Sequence, residues 1–346
     1  MGASAVPNRH CGSQPSRQSL GRPRREVVRQ TEGSQRILSQ MVSWGGGQDD
    51  LRAIAVVGSH ARSEHPADPW SDLDLVFMAR RPKRYLDQSS WLSEIEPPWL
   101  AVLEPTVVGG EQIFHITFAG GTKVDLVVVS SAAFSVATRA LATLRRHPSL
   151  RTLLPRGIGD RLNTLSDLLK RGFRFVLDKD QIADRLQLDD VAAIPPSPPS
   201  EDEFLELVKR FLNEQVAFAL KMRRGEFFLV KTQGESRLMD LLLQMIEWHT
   251  QVTSDRWSPV FERGRFLEEW APPLVIERLP AMFASYDSPQ IWRARFEALD
   301  LFRALAEELA SQLGYVYPTQ LEETVMTWVR GQAPASEGAR LPKRCS

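Results

Sequence analysis

The stretch "VVGSHARSEHPADPWSDLDLVFMA" spans Val56–Ala79. It leaves an apolar run at a Gly-Ser turn, crosses a polar loop and re-enters an apolar run holding Asp72 and Asp74. In an extended strand, side chains at i and i+2 share a face. The two aspartates therefore project together, while Leu73 and Leu75 pack on the other side. Two adjacent carboxylates at the end of a buried strand repel each other and are poorly solvated, and a divalent cation relieves both problems. Mg²⁺ fits, since it takes oxygen ligands and commonly shares them with substrate phosphates. The competing reading is that Ser71 and Asp72 cap a turn and Asp74 is an edge-strand acid.

Working outward, "LRAIAVVGS" reads as a strand near Ala53–Val57 ending at Gly58-Ser59. Glycine permits close backbone approach to phosphate, and the serine hydroxyl with nearby N–H groups can cradle phosphate oxygens. Arg62 follows as a cationic contact. "QIFHITF" alternates and precedes "AGGT", a hairpin signal, and "KVDLVVVS" is a third strong strand. Asp125 in that strand can stand beside the Asp72/Asp74 pair. Three such acids can hold two metal ions for phosphoryl or nucleotidyl transfer. "FRFVLDKD" supplies one more strand, in which Lys179 meets nucleotide phosphates or is a surface lysine between Asp178 and Asp180. "VVRQTEGSQRILSQMVSW" has helical spacing. The expected first domain is a sheet of mixed or antiparallel strands with helices on one face.

"AAIPPSPPSEDE" punctuates the chain, because four prolines forbid regular structure. Ser200 and Glu203 resemble a capping box opening the next helix. The remainder is helical nearly throughout. The expected organisation is a disordered tail over 1–24, a sheet domain over 25–190 and a Pro-rich linker over 191–200. A helical bundle over 201–330 and a disordered tail over 331–346 follow.

Lysine plus arginine and aspartate plus glutamate number 43 each, so no overall basic field points to nucleic acid or an anionic membrane. Cys11 and Cys345 lie in opposite tails, which gives no disulfide framework and fits a reducing cytoplasm. No apolar run approaches the roughly 18 residues needed to span a bilayer, and the N-terminal thirty residues lack a secretory pattern. His60 and His115 have no spacing that makes a zinc site. The segment 201–330 holds 21 acidic and 15 basic residues and five of the nine tryptophans: Trp248, Trp257, Trp270, Trp292 and Trp328. Carboxylates can pair with a cationic ligand and rings can cover its apolar faces, although most of these tryptophans suit a helical core. In "MIEWH", Met245 shares a helix face with Trp248 or His249. Glu247 lies on another face, where it can bond an acceptor or assist its deprotonation. The bland alternative is a solvated helix face with His249 as a satisfied buried ring.

The ordered set of strand, Gly-Ser, polar loop, Asp-x-Asp and later strand Asp resembles the nucleotidyltransferase superfamily that includes DNA polymerase beta. More narrowly the chain resembles the aminoglycoside 6-adenylyltransferases. The resemblance covers roughly 30–330 and includes "FVLDKD", "LMDLLLQMIEWH", "GRFLEEW", "SYDSPQIWRARFEALDLFRALAEELASQLGYVYP" and "EETV". It implies an α+β fold, with an N-terminal polymerase-beta-like mixed sheet with helices followed by a C-terminal helical bundle. It also implies a Mg²⁺-dependent enzyme that moves AMP from ATP to a hydroxyl of a streptomycin-like aminoglycoside, inactivating the antibiotic. Asp72, Asp74 and Asp125 take the family's metal and catalytic positions, and Gly58 and Ser59 its phosphate loop. The family usually reads Gly-Ser-Arg. Here His60 follows Ser59, and Arg62 fits the superfamily's Gly-Ser-x-Ala-Arg variant. The helix "FLNEQVAFALKMRRGEF" also departs from the family's aromatic pattern, so the acceptor pocket is expected to differ. A cytoplasmic monomer is expected, with no nucleic acid or membrane partner. Two alternatives stand beside this reading. One is another acceptor, lincosamide-like or a protein. The other is a non-catalytic nucleotide-binding or antitoxin-like protein, against which the intact acid set and the large helical domain both argue.

Overall fold

Six strands form one sheet in the order β3-β4-β5-β2-β1-β6. They are β1 (Leu51–Val57), β2 (Leu73–Ala79), β3 (Leu100–Pro105), β4 (Gln112–Thr117), β5 (Lys123–Ser130) and β6 (Phe173–Asp178). Neighbours are antiparallel except β2 and β5, which run parallel. The structure, a computed structural model, describes residues 24–63, 65–105, 112–147, 162, 169, 172–185, 198–253 and 262–334. The chain divides into two compact units, Met1–Ile194 and Pro195–Ser346. The expected tails fall almost wholly outside the described residues, as do Pro195 and Pro196 of the Pro-rich segment and Trp257.

The central strands β1 and β2 are apolar on both faces. Ile54, Val56, Leu75 and Phe77 enter one core with Phe114, Leu126 and the Ile37 and Met41 side chains of helix α1 (Arg24–Gly46). Ala53, Ala55, Val76 and Met78 enter a smaller core with Ile182 and with Phe134 of helix α2 (Ser131–Arg146). Helices thus cover both faces of the sheet, which corrects the one-face expectation. The physical reason is visible in "AIAVV" and "LVFMA", near-continuous apolar runs of the kind that strands buried on both sides require. Edge strand β3 escapes sequence reading because five of its six residues are exposed, leaving no alternation to detect.

The second unit is helical: α3 (Glu201–Arg223), α4 (Glu235–Thr253), α5 (Ser288–Leu313) and α6 (Thr319–Gln332) are its long elements. Ser200 and Glu203 close a capping box at the start of α3, each side chain bonding the other residue's backbone N–H. A π-helical turn, Val230–Gly234, leads into α4. Phe211 of α3 stacks on Phe302 of α5 with ring centroids 3.7 Å apart. The fold is therefore α+β, a mixed sheet with helices followed by a helical unit. Among the described residues, no helix is long and apolar enough to cross a membrane.

Candidate active site

The site is built on one transverse row of the sheet. Asp74 is registered against Val57 on one side and against Asp125 across the parallel β2–β5 pair. Asp125 in turn faces His115 on β4. Paired residues point to the same face, so this row continues the face carrying Val76 and Met78, where the smaller core lies. A tight turn sets Asp72 ahead of β2: Ser71 Oγ donates to Asp68 Oδ1 at 2.8 Å, and the Trp70 N–H donates to the same oxygen at 2.9 Å. Ser71 thus closes the turn with Asp68, while Asp74 lies in a central strand rather than at an edge.

Asp72, Asp74 and Asp125 bring one carboxylate oxygen each to within 4.8 Å of one another, and all three are half-buried. Lys123, two residues before Asp125 and on its face, reaches both neighbours. Its Nζ lies 3.4 Å from Asp72 Oδ2 and 3.3 Å from Asp125 Oδ2. Burial lowers the Lys123 pKa, but Asp125 and Asp72 outweigh that and hold it above 10.5. A cation is thus already drawn to the carboxylates. The donor set, three hard oxygen ligands gathered in one place, is the chemistry Mg²⁺ requires. These three residues would hold it.

Gly58 opens the turn Gly58–His60 directly after β1. Its φ is +66°, and a Cβ added there would stand 2.7 Å from Asp74 Oδ2. The glycine is therefore dictated both by backbone conformation and by the neighbouring carboxylate. A second glycine supports it. The Gly58 N–H donates to the Gly172 carbonyl at 3.1 Å. A Cβ on Gly172 would lie 2.7 Å from the Arg62 backbone nitrogen, so the chain entering β6 lies hard against this turn. Ser59 is buried. Arg62 Nε donates to the His65 carbonyl at 2.8 Å. Burial holds His60 below its ordinary pKa of 6.5, opposed by Asp72.

Other predicted residues lie elsewhere. Lys179 Nζ donates to the carbonyls of Gly45 and Gln48 at 2.8 and 2.7 Å. Those are carbonyls around the C-terminal end of α1, which a lysine satisfies well. Burial lowers the Lys179 pKa, helped by Arg52. Its ammonium thus serves as a helix cap, and this competes with the expected phosphate contact. Glu247, Trp248 and His249 lie on α4. His249 is buried, with Nε2 2.9 Å from Glu308 Oε2, so its ring is a satisfied polar group of the helical unit. Trp248 packs partly buried on the helical core. Trp270 and Trp292 are core residues and Trp328 is 43% exposed. A groove of about 570 Å³ in this unit, lined in part by Glu206, Glu214, Asp240 and Arg237, contains none of the predicted residues. Sequence reading missed Lys123, Gly172 and the His115–Asp125 contact. The last was available from the hairpin itself, since residues 115 and 125 are equidistant from Gly120 in the "AGGT" turn.

The sequence pattern of the family described as "Streptomycin adenylyltransferase" matches residues 31–332. The chain belongs to that family. As a streptomycin adenylyltransferase family member it is a nucleotidyltransferase enzyme, and AMP transfer to an aminoglycoside is the activity the family suggests. It is 22% identical over 274 residues to an "Aminoglycoside 6-adenylyltransferase" of Campylobacter jejuni, covering 78% of this chain and 85% of that protein. Two solved structures are also similar. An aminoglycoside 6-adenyltransferase from Bacillus subtilis aligns at 14% identity and a TM-score of 0.39, covering 86% of this chain and 98% of that one. A nucleotidyltransferase-like protein from Exiguobacterium sibiricum 255-15 aligns at 12% identity and 0.25, covering 81% and 78%.

Proposed function

We propose that this family member transfers AMP from ATP to a hydroxyl of a streptomycin-like aminoglycoside, releasing pyrophosphate and inactivating the drug. The observation that carries the reading is the convergence of Asp72, Asp74 and Asp125 within 4.8 Å in a chain of this family. The acceptor oxygen attacks the α-phosphorus of ATP. The bond from that phosphorus to the bridging oxygen breaks, pyrophosphate leaves, and the hydroxyl proton passes to a carboxylate. Bound Mg²⁺ supplies charge neutralisation for the phosphates and lowers the pKa of the attacking hydroxyl. Asp72 and Asp74 act as its ligands, and Asp125 as ligand and proton acceptor. Gly58, Ser59 and Arg62 form the phosphate turn. Glu247 bonds the acceptor, and the surplus of acids over bases in 201–330 suits a polycation. The catalytic and acceptor roles divide between 25–190 and 201–330, and the enzyme acts as a cytoplasmic monomer.

The test is incubation with ATP, Mg²⁺ and a panel of aminoglycosides, lincosamides and peptides, read by mass spectrometry. An adenylyl group on streptomycin, abolished by chelator, is expected. Modification of another acceptor class with streptomycin untouched overturns the acceptor assignment.

A further inference from the structure

The row of site residues does not stop at the acids. His115 Nδ1 lies 2.8 Å from Asp125 Oδ1. A carboxylate presents only lone pairs to such a contact, so Nδ1 carries the proton and donates it. On its far side, His115 Nε2 stands 3.9 Å from Glu104 Oε2, beyond hydrogen-bond length, so the short bond is the one to Asp125. The other oxygen of Asp125, Oδ2, is the one that Lys123 approaches from the Asp72 side. The two oxygens thus have different partners, Oδ1 the histidine and Oδ2 the lysine that also reaches Asp72. Asp125 has a side-chain exposure of 13% and His115 one of 32%, so the carboxylate is mostly covered while the ring remains partly open.

We infer that His115 is a positioning residue: its Nδ1–H fixes the rotation of the Asp125 carboxylate and turns Oδ2 toward Asp72 and Asp74. This rests on the reading of the three acids as the metal site. An aspartate on a strand rotates freely about its terminal torsion, which is broad and roughly two-fold. The 2.8 Å bond to Oδ1 restricts that freedom more tightly than the 3.3 Å contact of Lys123 with Oδ2. Side chains that bond a metal-holding group on its far side orient it, and their loss typically costs about 10–100-fold in metal affinity or activity. An ordinary exposed cross-strand pair, by contrast, contributes little to stability and leaves metal affinity untouched.

Isosteric substitution separates the two roles. In His115→Asn the side-chain amide nitrogen occupies the place of Nδ1, whereas in His115→Gln it reaches the place of Nε2, and His115→Phe has no donor. Mn²⁺ binding to the full chain without nucleotide, followed by electron paramagnetic resonance, is the readout, with single-turnover AMP transfer beside it. His115→Phe and His115→Gln are expected to lose about 10–100-fold in Mn²⁺ affinity, and His115→Asn to recover most of it. Wild-type Mn²⁺ affinity in His115→Phe overturns the inference, as does an equal loss in all three variants. Asp74→Asn is measured in parallel. If it loses Mn²⁺ while His115→Phe does not, the metal site stands and only the positioning role falls. If Asp74→Asn binds Mn²⁺ normally, the metal-site reading fails and takes the inference with it.

Discussion

Replacing Gly58 with alanine tests whether the turn after β1 and the Asp74 carboxylate are one mechanical unit. Two costs arise, and they fall on different observables. The first is conformational. Gly58 has φ +66°, and an L-residue held in the left-handed region costs roughly 1–2 kcal/mol. The second is local. The new Cβ would stand 2.7 Å from Asp74 Oδ2, whereas ordinary contact begins at 3.4 Å, so the carboxylate oxygen has to retreat by the difference. Mg²⁺ demands near-ideal octahedral geometry at about 2.0–2.1 Å, and a misplacement of about 1 Å at a reacting centre can cost roughly 100-fold. Gly58→Ala should therefore lose about 1–2 kcal/mol of stability by urea denaturation, and its single-turnover AMP transfer should fall toward 100-fold. Gly314→Ala is the control. Gly314 caps α5 with φ +73°, and a Cβ there meets nothing within 4 Å. It should show the stability loss and keep the rate. A Gly58→Ala enzyme with wild-type turnover, or a Gly314→Ala enzyme with the same rate loss, refutes the reasoning.

Asp74→Asn should keep the fold while lowering turnover by orders of magnitude, since charge and ligand both leave the transition state; normal Mg²⁺-dependent activity would remove Asp74 from the site. Gly172→Ala drives a Cβ against the Ala61 carbonyl carbon and the Arg62 nitrogen at 2.8 and 2.7 Å, and calorimetry should find Mg·ATP binding weakened because the Gly58–Arg62 turn is displaced. Ser200→Ala should cost about 1 kcal/mol through loss of the α3 cap. The Glu203 half of that cap titrates: bonds from the Ser200 backbone and hydroxyl hold its pKa below 4.5. Its contribution is therefore complete above pH 4.5 and lost as pH falls through the lower folded value. Urea midpoints of Glu203→Gln and wild type should converge in that acid window, and a constant gap would argue against the sign.

The elements that were legible in the sequence are those whose burial repeats with their own geometry. The entry into β2 shows Asp72 and Asp74 because Leu73 and Leu75 alternate with them, and β5 shows Asp125 within an apolar run. The α3 start was readable because its cap is local, with both partners inside four residues. The missed features depend on partners far along the chain. Lys179 reads as a phosphate contact or a surface lysine because nothing near it in sequence reveals the carbonyls of Gly45 and Gln48. Gly172 gave no signal, since its neighbours are Ala61 and Arg62. His115 was weighed only as a zinc ligand, whereas a carboxylate partner across a hairpin needs only that the turn be centred correctly. Helices cover both sheet faces because β1 and β2 are apolar without a break, whereas coverage of one face alone gives alternation.

The placement of Gly172 also sets an order of assembly during synthesis. Domains form from the N-terminus as the chain leaves the ribosome at about 5–20 residues per second. Asp72, Asp74, Asp125, Lys123 and His115 all precede residue 126, so the acid row can close as soon as β5 has emerged and found β2. The carbonyl that anchors Gly58 arrives with the chain entering β6, some way later. A chain truncated between β5 and β6 would therefore hold all three carboxylates and lack the strut that fixes the turn beside them. The row of three acids is thus complete in sequence well before the residue that anchors the turn beside it.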